Sequence, residues 1–239
     1  MRDYKFRCSS IGKLMTEPRS KAEGPLSQGA RTYIRQCAAQ EIFGVDFEVS
    51  SKEMEKGHEC EQDSIDLFNA VYGRALVKNE ERRTDDYFSG ESDLPDVDEV
   101  VDIKTAWSVA TFPISEDDLA APQRMLYEWQ LRAYMRLWNK PRASIAYCLV
   151  NTPERLIRNE SLALHVVGHI PERMRVTRWG FDRDAEKEAL MVEKVKHGRV
   201  YFTQVIEEFE RSHSSGHRPP FDAAPSTPRV ATPLPASIF

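Results

Sequence analysis

The stretch SGESDLPDVDEVVDIKTAW, Ser89 to Trp107, decides how the chain reads. It holds six acidic residues and a single lysine. Glu99 to Thr105 has the composition of a strand, and the LPDVD segment before it is turn chemistry. With a further strand over Tyr87 to Ser92, the segment predicts a hairpin. Residues i and i+2 of a strand share one face, so Asp102 and Lys104 point the same way and Ile103 points into the opposite layer. Burying a charge there is costly unless it is paired or binds a metal. The tripeptide itself decides nothing. About two D-x-K or E-x-K tripeptides are expected by chance, and two occur, the other being Asp3-Tyr4-Lys5. An Asp–Lys ion pair at a strand edge accounts for it equally well.

Asp93 tilts the reading. A turn at about Pro95 to Asp98 brings it toward the Asp102 face. Two carboxylates held close repel unless a cation lies between them. Hard oxygen ligands with an open coordination sphere suit Mg²⁺ or Mn²⁺. Such an ion can polarise a phosphate and activate a water, and Lys104 can stabilise the developing charge. Glu61, in KGHECEQDSIDLF, is a third carboxylate candidate, although an exposed helix glutamate is the commoner case. Gln130 and Tyr134 stand four apart on a predicted helix and share a face. Spacing alone favours core packing for Tyr134.

Outward from this segment, Gln28 to Phe43 predicts a helix that buries Tyr33, Ile34, Cys37 and Ile42 and stops at Gly44. A second helix is expected from about Met54 to Tyr72, ending at Gly73. Strands are expected at Ala75 to Lys78, Ala143 to Val150 and Ser161 to Ile170. Helices are expected at Pro122 to Trp138 and Asp182 to Arg211. The order predicts an α/β fold, a central mixed sheet with helices on both sides. Residues 1–211 form one domain, and 212–239, with six prolines and no periodicity, read as a disordered tail. The apolar tip PLPASIF of that tail is a candidate for docking on a partner, against the plainer reading of a non-binding terminus.

The bulk numbers set limits. The chain has 239 residues, 41% hydrophobic, enough for one sizeable core. No apolar run is long enough for a membrane span and no signal-peptide pattern is present, so a cytoplasmic protein is expected. The four cysteines lie far apart without C-x-x-C, so neither a zinc ribbon nor an iron–sulfur site is suggested. A net charge of −5 argues against nucleic acid, but the distribution is uneven. Glu80 to Asp118 carries thirteen acids against three bases, flanked by basic Met1 to Gly44 and Pro122 to Arg142. The 22 arginines to 11 lysines suit bidentate phosphate contacts.

Four pieces in order carry a resemblance: Gly57 with Glu61, Ser92-Asp93, Asp102-Ile103-Lys104, and Gln130 with Tyr134. This pattern resembles the PD-(D/E)XK nuclease superfamily, with its restriction-endonuclease-like core. Within it the chain is most similar to the phage lambda exonuclease and YqaJ-type viral recombinases, whose N-terminal segment FRCSSIGKLMTEPRSK also resembles. The resemblance covers about Phe6 to Val150. It implies two Mg²⁺ ions, with Mn²⁺ a substitute, held by Glu61, Asp93, Asp102 and the Ile103 carbonyl. It places Lys104 and Gln130 at the scissile phosphate, and Arg7, Ser10 and Ser92 at a 5′-phosphate pocket. Arg19 and Lys21 become backbone contacts, and Tyr134 joins the DNA-facing set. It implies 5′-to-3′ digestion of linear double-stranded DNA to 3′ overhangs, a single-strand annealing or single-strand-binding partner, and a homo-oligomeric ring.

Two departures stand out. Many relatives have Glu where this chain has Asp102, and Ser-Pro-Asp where it has Glu91-Ser92-Asp93, which shifts the serine by one. A structure- or sequence-selective endonuclease, or a catalytically silent protein-binding module on the same fold, remain alternatives.

Overall fold

The computed structural model describes residues 2–47, 51–118 and 121–214. It opens with β1 (Phe6–Arg7) and a short helix α1 (Ile11–Leu14). Helix α2 (Gln28–Phe43) follows, its N-terminus capped by the Ser27 hydroxyl and its end set by Gly44 at φ +63°. Tyr33, Ile34 and Cys37 are buried along it as expected.

The second expected helix is two: α3 (Lys52–Glu59) and α4 (Glu61–Tyr72), separated at Cys60 and closed by Gly73 in the left-handed region. The break has a physical anchor. Lys56 is fully buried, and its Nζ donates to the carbonyls of Ala106, Trp107 and Val150 at 2.7, 3.0 and 2.9 Å. That grip ties α3 to two strand ends and frees α4 to take its own direction.

The strands form two sheets. β1, β2 (Arg83–Thr84) and β3 (Phe88–Gly90) make a small one in the order β1-β3-β2. The larger runs β4-β5-β6-β7, with β4 (Leu94–Pro95), β5 (Glu99–Thr105), β6 (Arg142–Cys148) and β7 (Val176–Asp182). β5 and β6 are parallel and the other two pairs antiparallel, so the sheet is mixed. Helix α5 (Ala121–Trp138) makes the crossover between the parallel pair, and α6 (Ala185–Ser214) closes the chain.

Alternation along β5 sorts its residues between two layers. Val101 and Ile103 join a core with Ile65, Leu67 and Phe68 of α4. Val100 belongs to the larger core under α5, with Leu131, Tyr134, Met135 and Trp138. Asp102 and Lys104 therefore lie on the α5 side, and Ile103 faces the opposite layer as expected.

Several local expectations are corrected. Ala75 to Lys78 forms no strand. Its backbone is bracketed instead by the Asn69 amide, which bonds both N–H and C=O of Leu76. The Tyr87 to Ser92 strand shortens to β3, because Asp85 caps the N–H groups of Tyr87 and Phe88 as a turn, and it pairs with β1 and β2; the hairpin partner of β5 is instead β4, within the expected turn. Ser161 to Ile170 is a 3-10 turn and loop, with Val167 and Gly168 bonded to the Asn151 side chain. The fourth strand of the large sheet is β7, which the sequence reading passed over. The last helix starts at Ala185, since Asp182 still pairs with Arg142. It runs to Ser214, and the rest of the expected tail lies outside the described residues. Among the described residues, no helix is long and apolar enough to cross a membrane.

Candidate active site

The β4–β5 hairpin sets the site. Leu94 pairs with Val101 and Pro95 with Val100, while Asp96 N–H donates to the Glu99 carbonyl at 2.8 Å. This register carries Asp93 toward Asp102. Asp93 Oδ2 accepts the Ile103 N–H at 2.8 Å, which fixes the carboxylate beside the strand. Burial, then the nearby Asp102 charge, pushes Asp93 from 3.8 up to about 7.

Asp102 is only 2% exposed. Its Oδ1 accepts from Gln130 Nε2 at 2.7 Å. Its Oδ2 lies 2.6 Å from Lys104 Nζ, yet among the described residues no donor reaches it in hydrogen-bond geometry. The Lys104 contact is thus a close ion pair on the side of the carboxylate that Gln130 leaves free. Burial lowers the Lys104 pKa, but Asp102 and Asp93 more than offset it, so the ammonium is held above the ordinary lysine range.

Glu61 is the first residue of α4, where the helix dipole favours a carboxylate. It forms a salt bridge with Lys78. Its charge also raises Asp93, so the three acids share one electrostatic neighbourhood. They do not form a closed cage: among the described residues, no three acid, histidine or cysteine side chains are grouped to hold a metal. Two lysines neutralise the acids instead. The donor set still fits a hard divalent cation. It consists of carboxylate oxygens, and the buried Asp102 Oδ2 meets one partner only, the Lys104 ammonium.

The remaining candidates divide. Ser92 is fully buried with its Oγ unpartnered, and its carbonyl accepts from Asn79 Nδ2 at 2.9 Å. Arg7 pairs with Asp46 at 2.8 Å, and Ser10 bonds the Tyr33 hydroxyl. Arg19 and Lys21 are exposed on the loop between α1 and α2. Tyr134 is a correction to the DNA-facing set. It is 4% exposed, packs edge-on against Trp138, and abuts Gly90, where an added Cβ would meet its ring at 2.8 Å. The arginines of the Pro122 to Arg142 segment are likewise engaged within the fold. Arg132 pairs with Glu128, Arg136 with Asp85 and Arg142 with Asp182.

Comparison with known proteins follows this geometry. No family profile and no curated protein matches the chain. A solved phage-related exonuclease from Haemophilus somnus 129PT is 32% identical, over 87% of this chain and 97% of its own, with a TM-score of 0.80. The chain belongs to the family of that phage-related exonuclease. LHK-Exo, an alkaline exonuclease from Laribacter hongkongensis, shares the fold at 14% identity and a TM-score of 0.61, over 88% of this chain and 93% of its own. Its complex with dAMP gives 16% and 0.60 over the same shares.

Four further residues of this chain shape the site and were not read from sequence. Lys78 neutralises Glu61. Asn79 donates its N–H to the Asp93 carbonyl at 2.8 Å and so clamps Ser92-Asp93. Tyr127 and Tyr147 stand beside Lys104. The signal for Tyr127 was its place one helical turn before Gln130. Tyr147 lies in the apolar run ASIAYCLV, which reads as core.

Proposed function

We propose that the protein is a Mg²⁺-dependent exodeoxyribonuclease of the PD-(D/E)XK superfamily. It hydrolyses phosphodiesters of linear double-stranded DNA in the 5′-to-3′ direction, leaving 3′ overhangs for phage-type single-strand-annealing recombination. The observation that carries the reading is the cluster on β5. Buried Asp102 is held by Gln130 on one oxygen and paired with Lys104 on the other, Asp93 lies across the hairpin, and Lys104 and Gln130 occupy the same face. Membership in a family typified by a phage-related exonuclease supports the same chemistry.

On this reading Glu61, Asp93, Asp102 and the Ile103 carbonyl hold two Mg²⁺ ions, with Mn²⁺ a substitute. When bound, the ions supply Lewis acidity toward the phosphate and lower the pKa of a water. Lys104 sets its ammonium against the charge that develops on the scissile phosphate. Gln130 fixes Asp102 Oδ1 and so prevents the carboxylate from rotating out of line. Arg7 and Ser10 are assigned to a 5′-phosphate pocket, and Arg19 and Lys21 to the DNA backbone; Ser92, fully buried, is left out of that pocket. A homo-oligomeric ring, a single-strand annealing or single-strand-binding partner, and the cytoplasm complete the proposal.

The test is incubation with linear 5′-phosphorylated duplex and a closed circle in Mg²⁺, beside EDTA and Lys104→Ala controls. Loss of the linear DNA alone, abolished in both controls, is the expected result. Cutting of the circle replaces the exonuclease with an endonuclease. A folded sample inactive with Mg²⁺ and Mn²⁺ removes the catalytic reading in favour of a protein-binding module.

A further inference from the structure

The C-terminal ends of α2 and α6 enclose an open groove of about 380 Å³ that shares no residue with the candidate active site. Arg35 Nε donates to the Tyr201 hydroxyl at 2.8 Å, and the rings of Phe43 and Phe209 meet edge to face at 5.8 Å. Arg35 and Phe43 stand as far apart along α2 as Tyr201 and Phe209 do along α6, so the two helices run the same way and end together. Half-buried Ile42 and Val205 line the groove between them. Phe43 forms its lip and is 63% exposed, a large apolar surface left to water. Arg35 stands at the inner end and Glu208 nearer the mouth, one charge of each sign.

The chain itself supplies a segment of matching shape and charge. Helix α6 ends at Ser214, about 9 Å of helix past Glu208. The residues that follow, 215–222, read SGHRPPFD. Ser215-Gly216 is turn chemistry, and a reversal there sends the chain back along the groove. The steps from Ser214 to Arg218 cover up to about 13 Å, enough for the return. The order of side chains then agrees with the order of the walls. Arg218 arrives at Glu208, Pro219, Pro220 and Phe221 at the apolar middle, and Asp222 at Arg35. The lengths agree as well. From Arg218 to Asp222 a polyproline-type strand rises about 12 Å. From Arg35 to Ile42, the level of Glu208, α2 rises about 11 Å. Proline-rich segments suit aromatic-lined grooves because their extended form is already set before docking. A short tether also gives an effective concentration in the millimolar range, so a weak contact suffices. The apolar tip PLPASIF has no charged side chain to meet either Arg35 or Glu208.

We propose that residues 218–222, RPPFD, fold back into this groove within the same chain. Phe221 packs against Ile42, Phe43 and Phe209, Arg218 pairs with Glu208, and Asp222 pairs with Arg35. The inference is independent of the nuclease reading. It makes the end of α6 an anchor, from which the following residues leave the surface at a fixed place.

The experiment follows chymotryptic cleavage of the Phe221–Asp222 bond in the full chain by mass spectrometry. Each initial rate is compared with that of a free peptide of residues 215–227 carrying the same substitution, and the ratio is the protection. The chains are wild type, Phe43→Ala, Arg35→Asp, Asp222→Arg and the charge exchange Arg35→Asp with Asp222→Arg. Slow cleavage within α6 marks each fold as intact. Wild type is protected on the order of tenfold or more, because cleavage tracks the undocked population. Phe43→Ala, at an exposed position, loses most of that protection. Each single charge variant loses about two- to fivefold, the effect of an exposed ion pair, and the exchange restores it. Wild-type protection near unity overturns the inference. So does a Phe43→Ala chain protected like wild type, or an exchange no better than the single charge variants. Protection that rises with protein concentration seats the segment in a neighbouring copy and overturns docking within one chain.

Discussion

Lys104→Met keeps the apolar stem of the side chain and deletes its ammonium. In the wild type, Nζ lies 2.6 Å from an Asp102 oxygen, and Asp102 is 2% exposed. At an effective dielectric of about 20, that separation corresponds to a gross attraction of about 6 kcal/mol. Desolvation of both charges cancels most of it, so the intact pair contributes little net stability. Removing one partner is different. It strands Asp102 next to Asp93, and loss of one member of a buried pair costs about 3–5 kcal/mol. Asp102→Asn in the same background removes the stranded charge, while its amide oxygen still accepts from Gln130.

The expected ledger in metal-free buffer at neutral pH is therefore a single variant destabilised by about 3–5 kcal/mol and a double variant that recovers at least half. Urea unfolding followed by the fluorescence of the four tryptophans reads it, with unchanged slopes confirming that the midpoints report stability. Both variants lose hydrolysis although the double variant regains at least half of the lost stability, which separates chemistry from folding. A single variant within about 1 kcal/mol of wild type, or a double variant no more stable than the single, refutes the reasoning.

Two other outcomes follow from the same region. Asp93 titrates at about 7 rather than 3.8 because it is buried beside Asp102, so the folded chain keeps a proton the unfolded chain has lost. Its stabilising contribution is full below about pH 4 and disappears as pH rises through about 7. The metal-free wild type accordingly loses unfolding free energy across that window and Asp93→Asn flattens the decline; parallel curves would contradict this. Lys56→Met relieves the burial that lowers this amine to about 8, yet takes a donor from the carbonyls of Ala106 and Val150. Trp107 keeps a donor in Thr152. At about 1–3 kcal/mol for each orphaned carbonyl, the net loss is about 2 kcal/mol, read as a lowered Tm, and an unchanged Tm disproves the anchoring role.

Where sequence sufficed, the information was local. β5 has an apolar face, a turn before it and a period of two, so its boundaries, the sides of Asp102 and Lys104, and the approach of Asp93 all followed from residues within one hairpin. Helix α2 was equally local, with Gly44 as its stop. What failed was set by distant partners. The division of α3 from α4 depends on Lys56 reaching carbonyls 50 and 94 residues away. β7 exists because β6 offers it an edge. The basic segment around α5 looked like a phosphate surface, but Arg132 pairs with Glu128 one helical turn away, and Arg136 and Arg142 pair with Asp85 and Asp182, which only the fold brings near. Tyr134 followed its spacing into the core and not the resemblance.

The same balance explains how an acidic cluster persists inside a folded chain. Glu61, Asp93 and Asp102 are three potential charges near one strand end, and without counterions such a group drives a protein apart. Here Lys104 answers Asp102 and Lys78 answers Glu61, while Asp93 rises to about 7 and carries part of its charge as a proton. The two lysines are not equivalent. The Lys104 side chain is 27% exposed and rises from the strand itself, whereas Lys78 is 42% exposed and comes from an irregular segment. Lys78 can withdraw into water at little cost, because a half-exposed ion pair is worth about 0–1 kcal/mol. Lys104 has no such route. The site thus holds one fixed cation, Lys104, and one that can withdraw, Lys78, and the carboxylate that Lys78 releases, Glu61, is the one at the helix N-terminus.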